Sequence, residues 1–485
     1  MYVKLKSNIL YRKYPNFGYL TDNRFYEYKS LNNHNEDIGD IIVSESGSDL
    51  ISVLSRSPKP IEAIVDDLMK IYDGCSFNEL KKIAIEFYQD LALKGFLSIG
   101  ESKSECNDSN QKLENIKNQN SNQEANNKSV IDFFKTYLNG RNKLNSIHIE
   151  ISSKCNEKCI HCFIPEEFKT SIMNLEIFNK ILLQAKKLNV LHITISGGEP
   201  MTNINFIQYL KMCREMDFSV SVLSNLNLLS DEMIDEMKKN PLLGVQTSLY
   251  SIDSKIHDAI TRLPGSCNKT MKSIEKLLNA NIPVQISCPI IKQNKNCFID
   301  VVAWANKRNI SVLKEYAIIA EYNHNVENIQ NRLSIEEISQ VFDIENLYNS
   351  NFYDILRQEA NKKKKYHCTD SVCSVCYDSI GFLPNGNAFP CPGWENYILG
   401  NIQTNTLEEI WYDLPKINEL RNVKRNNLTK CLKCPDKKYC SPCLLRNANE
   451  SQNGNMFEIQ PFFCQYAKLK HNKIEEYEND KARMD

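Results

Sequence analysis

Three closely spaced cysteines carry the strongest chemical signal in this chain. Cys155, Cys159 and Cys162 follow directly on residues 147–151, in which isoleucines alternate with other side chains. That alternation is typical of a β-strand, so the cysteines begin a loop at a strand end. A [4Fe–4S] cluster takes one thiolate for each of its irons, so three local thiolates leave one iron available to a ligand outside the protein. The spacing therefore indicates an iron–sulfur centre with an open position.

Zinc is the alternative occupant of this loop. Structural zinc sites commonly have four ligands, which here would require His161 or a distant residue beside the three cysteines. Twelve of the 18 cysteines fall at positions 155–162 and 368–464, and such clustering favours metal ligation over disulfides. The other six are predicted to be ordinary apolar residues: Cys75, Cys106, Cys213, Cys267, Cys288 and Cys297.

A second motif, Gly197-Gly198-Glu199-Pro200, stands at the end of the next predicted strand. Its two glycines let the backbone approach a ligand closely, and its glutamate can accept a hydrogen bond from an ammonium group. Together with the C-x3-C-x2-C spacing, this motif resembles the radical S-adenosylmethionine (radical SAM) superfamily. The resemblance implies that the open iron binds the methionine amine and carboxylate of SAM and delivers the electron that breaks its S–C5′ bond. It also implies SAM contacts from Ser196, Gly197, Gly198, Glu199, Pro200, Asn225 and Ser248.

The elements that position these motifs alternate between strand and helix. Strands are predicted near residues 146–152, 191–196, 218–223, 244–249, 283–290 and 312–319, with amphipathic helices between them. Such alternation implies parallel strands joined by right-handed crossovers. The radical SAM resemblance implies an α/β fold with an open six-unit (β/α) partial barrel, whose chemistry gathers in loops at the carboxyl ends of the strands. His257 is predicted to be a structural histidine rather than a proton carrier.

The C-terminal part of the chain contains a second cysteine array. Residues 376–391 have the pattern C-x9-G-x4-C, and residues 431–443 have the pattern C-x2-C-x5-C-x2-C, followed by Cys464. Paired CxxC motifs suit zinc ribbons as well as iron–sulfur clusters, but the upstream cluster motif favours iron. The array resembles the SPASM domain, which carries two auxiliary [4Fe–4S] clusters. Many SPASM relatives have three residues, rather than two, before the cysteine that corresponds to Cys443.

The SPASM resemblance implies an interleaved set of ligands. The second auxiliary cluster would bind Cys431, Cys434, Cys440 and Cys464. The first would bind Cys376, Cys391 and Cys443, with either Cys373 or Cys368 as the fourth ligand and Cys373 preferred. An open iron that binds a substrate thiolate is the alternative to that fourth ligand.

Residues 1–100 are predicted to form a small winged-helix-like α+β domain. Extended chain over residues 1–30 is followed by three helices that begin at Ser48, Pro60 and Ser76, the last with a capping box. The domain resembles the peptide-recognition domain of ribosomal peptide maturases, in which a precursor's leader adds as a strand to a sheet edge. A DNA-binding winged helix is the alternative. With 12 Lys and Arg against 14 Asp and Glu, however, this domain lacks the basic character of a DNA reader.

Composition sets the remaining domain limits. Residues 101–128 are almost entirely polar and are predicted to be a flexible tether, with a leading helix from Ile131 completing the linker at 101–141. The barrel is assigned to residues 142–325, a helical bridge to 326–365 and the SPASM domain to 366–485.

The chain carries 59 Lys and Arg against 60 Asp and Glu, which favours neither nucleic acid nor membrane as a partner. Without a signal peptide or an apolar span, a cytoplasmic location is predicted.

The sequence thus predicts a radical SAM/SPASM enzyme that modifies a ribosomally made precursor peptide. Its cofactors would be SAM and three [4Fe–4S] clusters, and its electron donor a flavodoxin- or ferredoxin-type protein. The expected product is an intramolecular thioether between a cysteine sulfur and a carbon, formed through a 5′-deoxyadenosyl radical; carbon–carbon cross-linking and epimerisation are the alternatives. The nearest rival is a SPASM dehydrogenase of the sulfatase-maturing type, and the distant one is a zinc-ribbon, winged-helix DNA-binding regulator. No catalytic acid or base is assigned.

Overall fold

The structure, a computed structural model, describes residues 1–23, 38–108, 120–363 and 367–484. The strands are β1 (Tyr2–Leu5), β2 (Ile9–Tyr14), β3 (Phe17–Asp22), β4 (Asp40–Ser44), β5 (Lys59–Pro60), β6 (Leu97–Gly100), β7 (Ser146–Ser152), β8 (His192–Gly197), β9 (Ser219–Leu223), β10 (Leu243–Ser248), β11 (Val284–Pro289), β12 (Ser311–Glu315), β13 (Ser379–Phe382), β14 (Asn387–Phe389) and β15 (Gly400–Asn401).

The helices are α1 (Glu45–Ser52), α2 (Ile61–Leu68), α3 (Phe77–Leu93), α4 (Lys103–Asp108), α5 (Asn120–Tyr137), α6 (Leu175–Lys187), α7 (Phe206–Glu215), α8 (Asp231–Met237), α9 (Ser254–Thr261), α10 (Ser266–Asn279), α11 (Phe298–Asn306), α12 (Ile335–Tyr348), α13 (Phe352–Lys363), α14 (Leu407–Tyr412), α15 (Pro415–Asn422), α16 (Thr429–Leu432), α17 (Leu444–Glu450) and α18 (Pro461–Met484). No helix in the described part of the chain combines the length and the apolar character that a membrane crossing requires.

A barrel of six parallel strands forms the centre of the protein. Strands β7 to β12 pair in chain order, and the helices α6 to α11 lie between them along the chain. The α/β fold with six strand–helix units is therefore confirmed. Five strands match the predicted bounds within one residue at each end, but the sixth ends at Glu315 rather than near residue 319.

The cysteine-rich C-terminal segment extends the barrel sheet. β13 pairs in parallel with β7 from Ser379↔Ser146 to Phe382↔Ile149, and β14 and β15 follow in antiparallel pairing. This produces a nine-stranded sheet with the order β12-β11-β10-β9-β8-β7-β13-β14-β15. The first barrel strand therefore lies between the rest of the barrel and the C-terminal domain. The helices expected in the bridge at 326–365 are present as α12 and α13.

The N-terminal unit contains two small sheets and three helices. Their strand orders are β2-β3-β4 and β5-β1-β6. The predicted capping box at the start of α3 is confirmed, because the Ser76 hydroxyl and the Glu79 carboxylate each accept from the other residue's backbone N–H. Ser48 is wrong as the cap of α1: Ser44 accepts from Gly47 N at 3.2 Å, while the Ser48 hydroxyl bonds Tyr11 Oη inside the domain. Positions 24–30 of the expected extended stretch lie outside the described residues.

Within the predicted tether at residues 101–128, the structure describes parts of two helices. α4 and α5 occupy much of it, and α5 begins at Asn120 instead of near Ile131. The ring of Phe134 on α5 lies 5.5 Å from Tyr14 and 5.1 Å from Tyr19, measured between centroids. These aromatic contacts anchor α5 to the N-terminal sheet, an interaction that the polar composition upstream does not indicate. Residues 109–119 lie outside the described ranges.

One buried arginine fastens the N-terminal domain to the barrel. The Arg12 guanidinium is 1% exposed and donates from Nε to Val190 O at 3.0 Å and from Nη2 to Asp217 O at 2.7 Å. The Asp217 carboxylate forms ion pairs with both Arg12 and Arg56. Burial lowers the pKa of Arg12, and the charge of Asp217 opposes that shift. Because Val190 and Asp217 precede β8 and β9, the domain is docked at the amino-terminal end of the barrel strands.

Asp217→Asn should weaken this docking. The amide keeps the shape of the side chain and tolerates the left-handed backbone at this position (φ 59°), but it leaves the buried Arg12 without a counter-charge. We expect a loss of about 2 kcal/mol in the free energy of unfolding, measured by urea denaturation. Asp231→Asn is the matched control, since that carboxylate is 83% exposed and pairs only with Lys276. Equal stability of the two variants would contradict the role given to Asp217.

Candidate functional site

Loops at the carboxyl ends of the barrel strands line a cavity of about 480 Å³. All three cysteines of the first motif face this cavity, which we call the barrel cavity. Among the SAM contacts implied by the sequence, its lining includes Ser196, Gly197, Gly198, Asn225 and Ser248. Glu199 and Pro200 are buried and do not belong to that lining. The structure thus brings the cysteine motif and most of the implied SAM contacts to one place.

The two glycines of the second motif are required by close packing of backbone on backbone. Gly197 has φ +136°, and a Cβ added there would lie 1.9 Å from Ser152 O. A Cβ on Gly198 would lie 2.4 Å from Ser153 O. The N–H groups of Gly198 and Glu199 donate to Ser152 O and Lys154 O, both at 2.8 Å. The motif therefore fixes the start of the cysteine loop as well as offering backbone to a ligand.

Glu199 links the ends of two strands. Its fully buried carboxylate accepts hydrogen bonds from Met201 N at 3.0 Å, from Ser224 Oγ at 2.8 Å and from Asn225 N at 2.8 Å. Burial raises the pKa of Glu199 to about 7, and these three donors oppose the rise. The sequence suggested only an acceptor for a ligand's ammonium group. The structure adds that this carboxylate holds the loops after β8 and β9 together.

The cysteine loop is bonded on one side to the end of α9. Lys158 N donates to Thr261 O and Ile160 N donates to Ile260 O, each at 3.0 Å. His257 lies on the same helix, where its Nδ1 is 3.3 Å from Tyr250 N. Burial lowers the pKa of His257 to about 4. A neutral ring that accepts from backbone agrees with the structural role predicted for it.

Two asparagines hold the other side of the loop, and sequence reasoning missed both. Asn331 Nδ2 donates to Ile160 O at 2.8 Å. Asn328 Nδ2 lies within 3.3 Å of the carbonyl oxygens of His161 and Cys162 and donates to Ile319 O at 2.8 Å. Both belong to a short 3-10 helix, Asn328–Asn331, in the segment taken as a bridge. Asparagine's preference for side-chain bonds to backbone was the available signal.

Buried polar groups at the loop fit a charged, polar occupant. Burial raises the pKa of Cys155 to about 12 and that of Glu157 to about 7. Such thiols ionise when a metal centre supplies positive charge, which is the chemistry of cluster ligation. Two atoms of residues that line the cavity, His161 Nδ1 and Thr247 Oγ1, are buried without a hydrogen-bond partner in the described residues. These atoms suit a ligand as polar as SAM.

The C-terminal cysteines fall into two groups. Burial raises the pKa of Cys391 to about 12, and the nearby thiols of Cys443, Cys373 and Cys376 add to that rise. The other group, Cys431, Cys434, Cys440 and Cys464, lines a second cavity of about 360 Å³, which we call the second cavity. Cys368 is exposed and lines the second cavity, which Cys443 of the first group also lines.

In the described residues, no group of three or more His, Cys, Asp or Glu side chains is close enough to hold a single metal ion. A tetrahedral zinc with Zn–S bonds of about 2.3 Å needs sulfur atoms about 3.8 Å apart, whereas a [4Fe–4S] cluster places each thiolate on a separate iron.

Comparisons with known proteins agree with this chemistry. A sequence profile described as "Radical SAM superfamily" matches residues 149–305, and the SPASM profile, described as "Iron-sulfur cluster-binding domain", matches residues 373–435. The chain is 22% identical over 340 residues to the AdoMet-dependent heme synthase of Methanosarcina barkeri, covering 65% of this chain and 95% of that protein. It is 24% identical over 313 residues to AlbA, an antilisterial bacteriocin subtilosin biosynthesis protein of Bacillus subtilis, covering 62% of this chain and 68% of AlbA.

A solved structure resembles the chain over nearly its whole length. It is that of Streptococcus suis SuiB bound to its precursor peptide SuiA, and it superposes with a TM-score of 0.59. The match covers 95% of this chain and 100% of SuiB at 18% sequence identity. The likeness therefore establishes a shared fold that includes the N-terminal unit.

Asn331→Leu should disturb the cysteine loop selectively, because it removes the donor to Ile160 O while keeping a similar side-chain volume. After anaerobic reconstitution we expect the iron content to fall by about a third, the share of one cluster in three. Electron paramagnetic resonance should lose the signal that responds to SAM and keep the others. Gln330→Leu, at an exposed position on the same short helix, is the control. Full iron content and an intact SAM-responsive signal in Asn331→Leu would refute this role.

Proposed function

We propose that this chain, which contains a radical SAM domain followed by a SPASM domain, forms an intramolecular thioether in a ribosomally made precursor peptide. The observation that carries the proposal is an N-terminal sheet unit docked on a barrel whose cavity is flanked by two further groups of cysteines. The likeness in fold to SuiB bound to SuiA and the sequence similarity to AlbA, a bacteriocin biosynthesis protein, both support a peptide substrate.

The proposed ligands follow the grouping in the structure. Cys155, Cys159 and Cys162 hold the cluster that binds SAM. The auxiliary clusters are held by Cys373, Cys376, Cys391 and Cys443, and by Cys431, Cys434, Cys440 and Cys464. When bound, the first cluster would supply the electron that cleaves SAM to a 5′-deoxyadenosyl radical, and an auxiliary cluster would accept the surplus electron.

The barrel's own residues would position SAM. Gly197 and Gly198 present backbone that no larger residue could bring so close, and Glu199 fixes the adjoining loops. Ser196, Asn225 and Ser248 present polar groups to the same cavity. Closing a thioether removes one hydrogen atom from carbon and one proton and one electron from the thiol. The peptide therefore loses two hydrogens for each bond.

An electron donor and a location complete the proposal. Reduction of SAM needs an external electron, which a flavodoxin- or ferredoxin-type protein would supply. We place the enzyme in the cytoplasm, where thiols stay reduced and can serve as cluster ligands.

The leader of the precursor is proposed to pair with β4. β1 is already paired on both sides, by β5 and β6. The far side of β2 faces the barrel, where Asn189 Nδ2 donates to Lys13 O at 3.2 Å. β4 is paired with β3 on one side only and has no second strand neighbour among the described residues. An added strand would gain backbone hydrogen bonds there, as in other peptide-recognition domains.

A proline scan of the leader tests this pairing. Each proline removes one N–H donor, and in a paired strand only alternate N–H groups point towards the partner. A candidate precursor would be sought among short cysteine-rich peptides encoded beside the gene. Its binding, measured by fluorescence anisotropy, should therefore fall at every second position of the leader. A uniform loss, or none, would argue against strand addition. The same prolines placed in the core peptide serve as controls for general effects on the chain.

Anaerobic turnover with that precursor tests the reaction itself. Tandem mass spectrometry should show a loss of two hydrogens per cross-link that survives thiol reduction, with one cysteine per cross-link inert to alkylation. Cys376→Ala and Cys434→Ala should cleave SAM but yield no product, whereas the exposed Cys75→Ala should behave as the unmodified enzyme. Free thiols with a loss of two hydrogens would indicate a carbon–carbon bond, and an unchanged mass would indicate epimerisation. A product that reacts with a hydrazide would favour the dehydrogenase, since its aldehyde is reactive.

A further inference from the structure

Arg446 occupies a position between the two cavities. It lies on α17, three residues after Cys443, and is partly buried. Its side chain lines both the barrel cavity and the second cavity. The guanidinium carbon lies 4.9 Å from the ring centroid of Phe463 on α18. The cation is thus held against an aromatic face at the edge of the space in which we place the reaction.

The hydrogen-bond donors of Arg446 are unused within the protein. In the ranges that the structure describes, it donates no hydrogen bond and has no carboxylate within the 4.0 Å of an ion pair. Nearby buried arginines differ: Arg332 pairs with Glu450 at 3.0 Å, and Arg421 donates to Cys376 O at 2.8 Å. Glu315 lines the same cavity, and the charge of Arg446 opposes the rise in the pKa of Glu315 that burial causes. The two are nevertheless not in ion-pair contact.

The shape of the group determines what it can bind. A guanidinium carries its N–H groups in one plane, as a rigid fork of donors. That planar fork matches the two oxygens of a carboxylate, and the resulting pair is stronger in a partly buried site than in water.

A different role would be to balance the charge of a cluster in the second cavity. Other basic side chains already line that cavity, namely Lys363, Arg425, Lys437 and Lys438. Arg446 is the one residue that the linings of the two cavities share. Its donors are therefore available to a molecule in the barrel cavity, where a peptide substrate would have to enter.

We propose that Arg446 binds a carboxylate of the core peptide and so sets which segment reaches the reacting centre. The carboxylate comes from an Asp or Glu side chain or from the C-terminus of the peptide. This inference rests on the proposed function, because it takes the occupant of the barrel cavity to be a precursor peptide. It adds a specificity-determining residue and a chemical requirement on the substrate.

The test pairs enzyme variants with peptide variants. The reconstituted enzyme and its Arg446→Gln and Arg446→Lys variants would be assayed with the precursor encoded beside the gene. The same assay would use peptides in which each acidic residue is replaced by its amide, and one with an amidated C-terminus. We expect one peptide change to lower kcat/KM at least tenfold with the unmodified enzyme and to cause little further loss with Arg446→Gln. Such non-additivity is the signature of direct contact.

The peptide and enzyme variants distinguish between the possible sources of the carboxylate. Sensitivity to one acidic side chain or to the amidated C-terminus identifies the source of the carboxylate, and Arg446→Lys should restore part of the activity. Arg262→Gln, at an exposed arginine beside the cysteine loop, should leave the pattern unchanged. Thermal unfolding and iron content should match in all enzyme variants, which shows that folding and cluster assembly are intact.

Three results would overturn the inference. In the first, no peptide variant is impaired with the unmodified enzyme. In the second, the losses from peptide and enzyme changes multiply, as expected for independent sites. In the third, Arg446→Gln shifts the resonance spectrum of the auxiliary clusters with no dependence on peptide charge, which would assign Arg446 to the cluster. If the unmodified enzyme leaves every peptide unmodified, the proposed function itself fails; if it modifies the natural peptide, only the role of Arg446 is at issue.

Discussion

The fixed backbone of the cysteine loop is the constraint on which the rest of the site depends. The loop has eight residues and carries three cluster ligands. Its backbone N–H and C=O groups need hydrogen-bond partners, which would be water if the protein supplied none. Carbonyl groups at the end of α9 accept hydrogen bonds from two N–H groups of the loop, and Asn331 and Asn328 donate hydrogen bonds to carbonyl groups of the loop. Neither partner is near the loop in sequence. The site is therefore assembled by the folded barrel and cannot form from the local motif alone.

The N-terminal domain and the barrel cavity, where the leader and the core of a peptide would bind, lie at opposite ends of the barrel strands. The N-terminal domain is docked through Arg12 and Asp217 before β8 and β9, whereas the cavity opens where those strands end. A strand of six residues spans about 20 Å. If the leader stays paired with β4 during turnover, the peptide must bridge at least that distance, which takes about six extended residues. Docking thus imposes a minimum spacing between the leader and the modified residue.

Features that depend on residues close together in the chain were predictable from the sequence. The cysteine spacing, the alternating isoleucines of β7 and the capping box at Ser76 each involve residues a few positions apart. Five barrel strands were accordingly found within one residue of their expected ends. The sequence also indicated two groups of auxiliary cysteines through a resemblance, and the structure has Cys373 near Cys391.

Features that depend on distant partners were not predictable. Phe134 of α5 packs against rings more than a hundred residues away in the chain. Ser48 hydrogen-bonds Tyr11 instead of capping its helix. The two asparagines that hold the cysteine loop gave only a general signal of side-chain bonding to backbone. In each case the outcome was decided by a tertiary contact that no local pattern encodes.

The most direct test of the account is to follow a hydrogen atom from peptide to SAM. The precursor would be prepared with carbon-bound deuterium throughout its core and turned over anaerobically with unlabelled SAM, and the 5′-deoxyadenosine would be analysed by mass spectrometry. If the barrel cavity generates a radical that acts on the peptide, the 5′-deoxyadenosine gains one deuterium in proportion to the modified peptide. Unlabelled 5′-deoxyadenosine alongside modified peptide would show that the radical does not abstract from the peptide's carbon atoms, and the account would be contradicted.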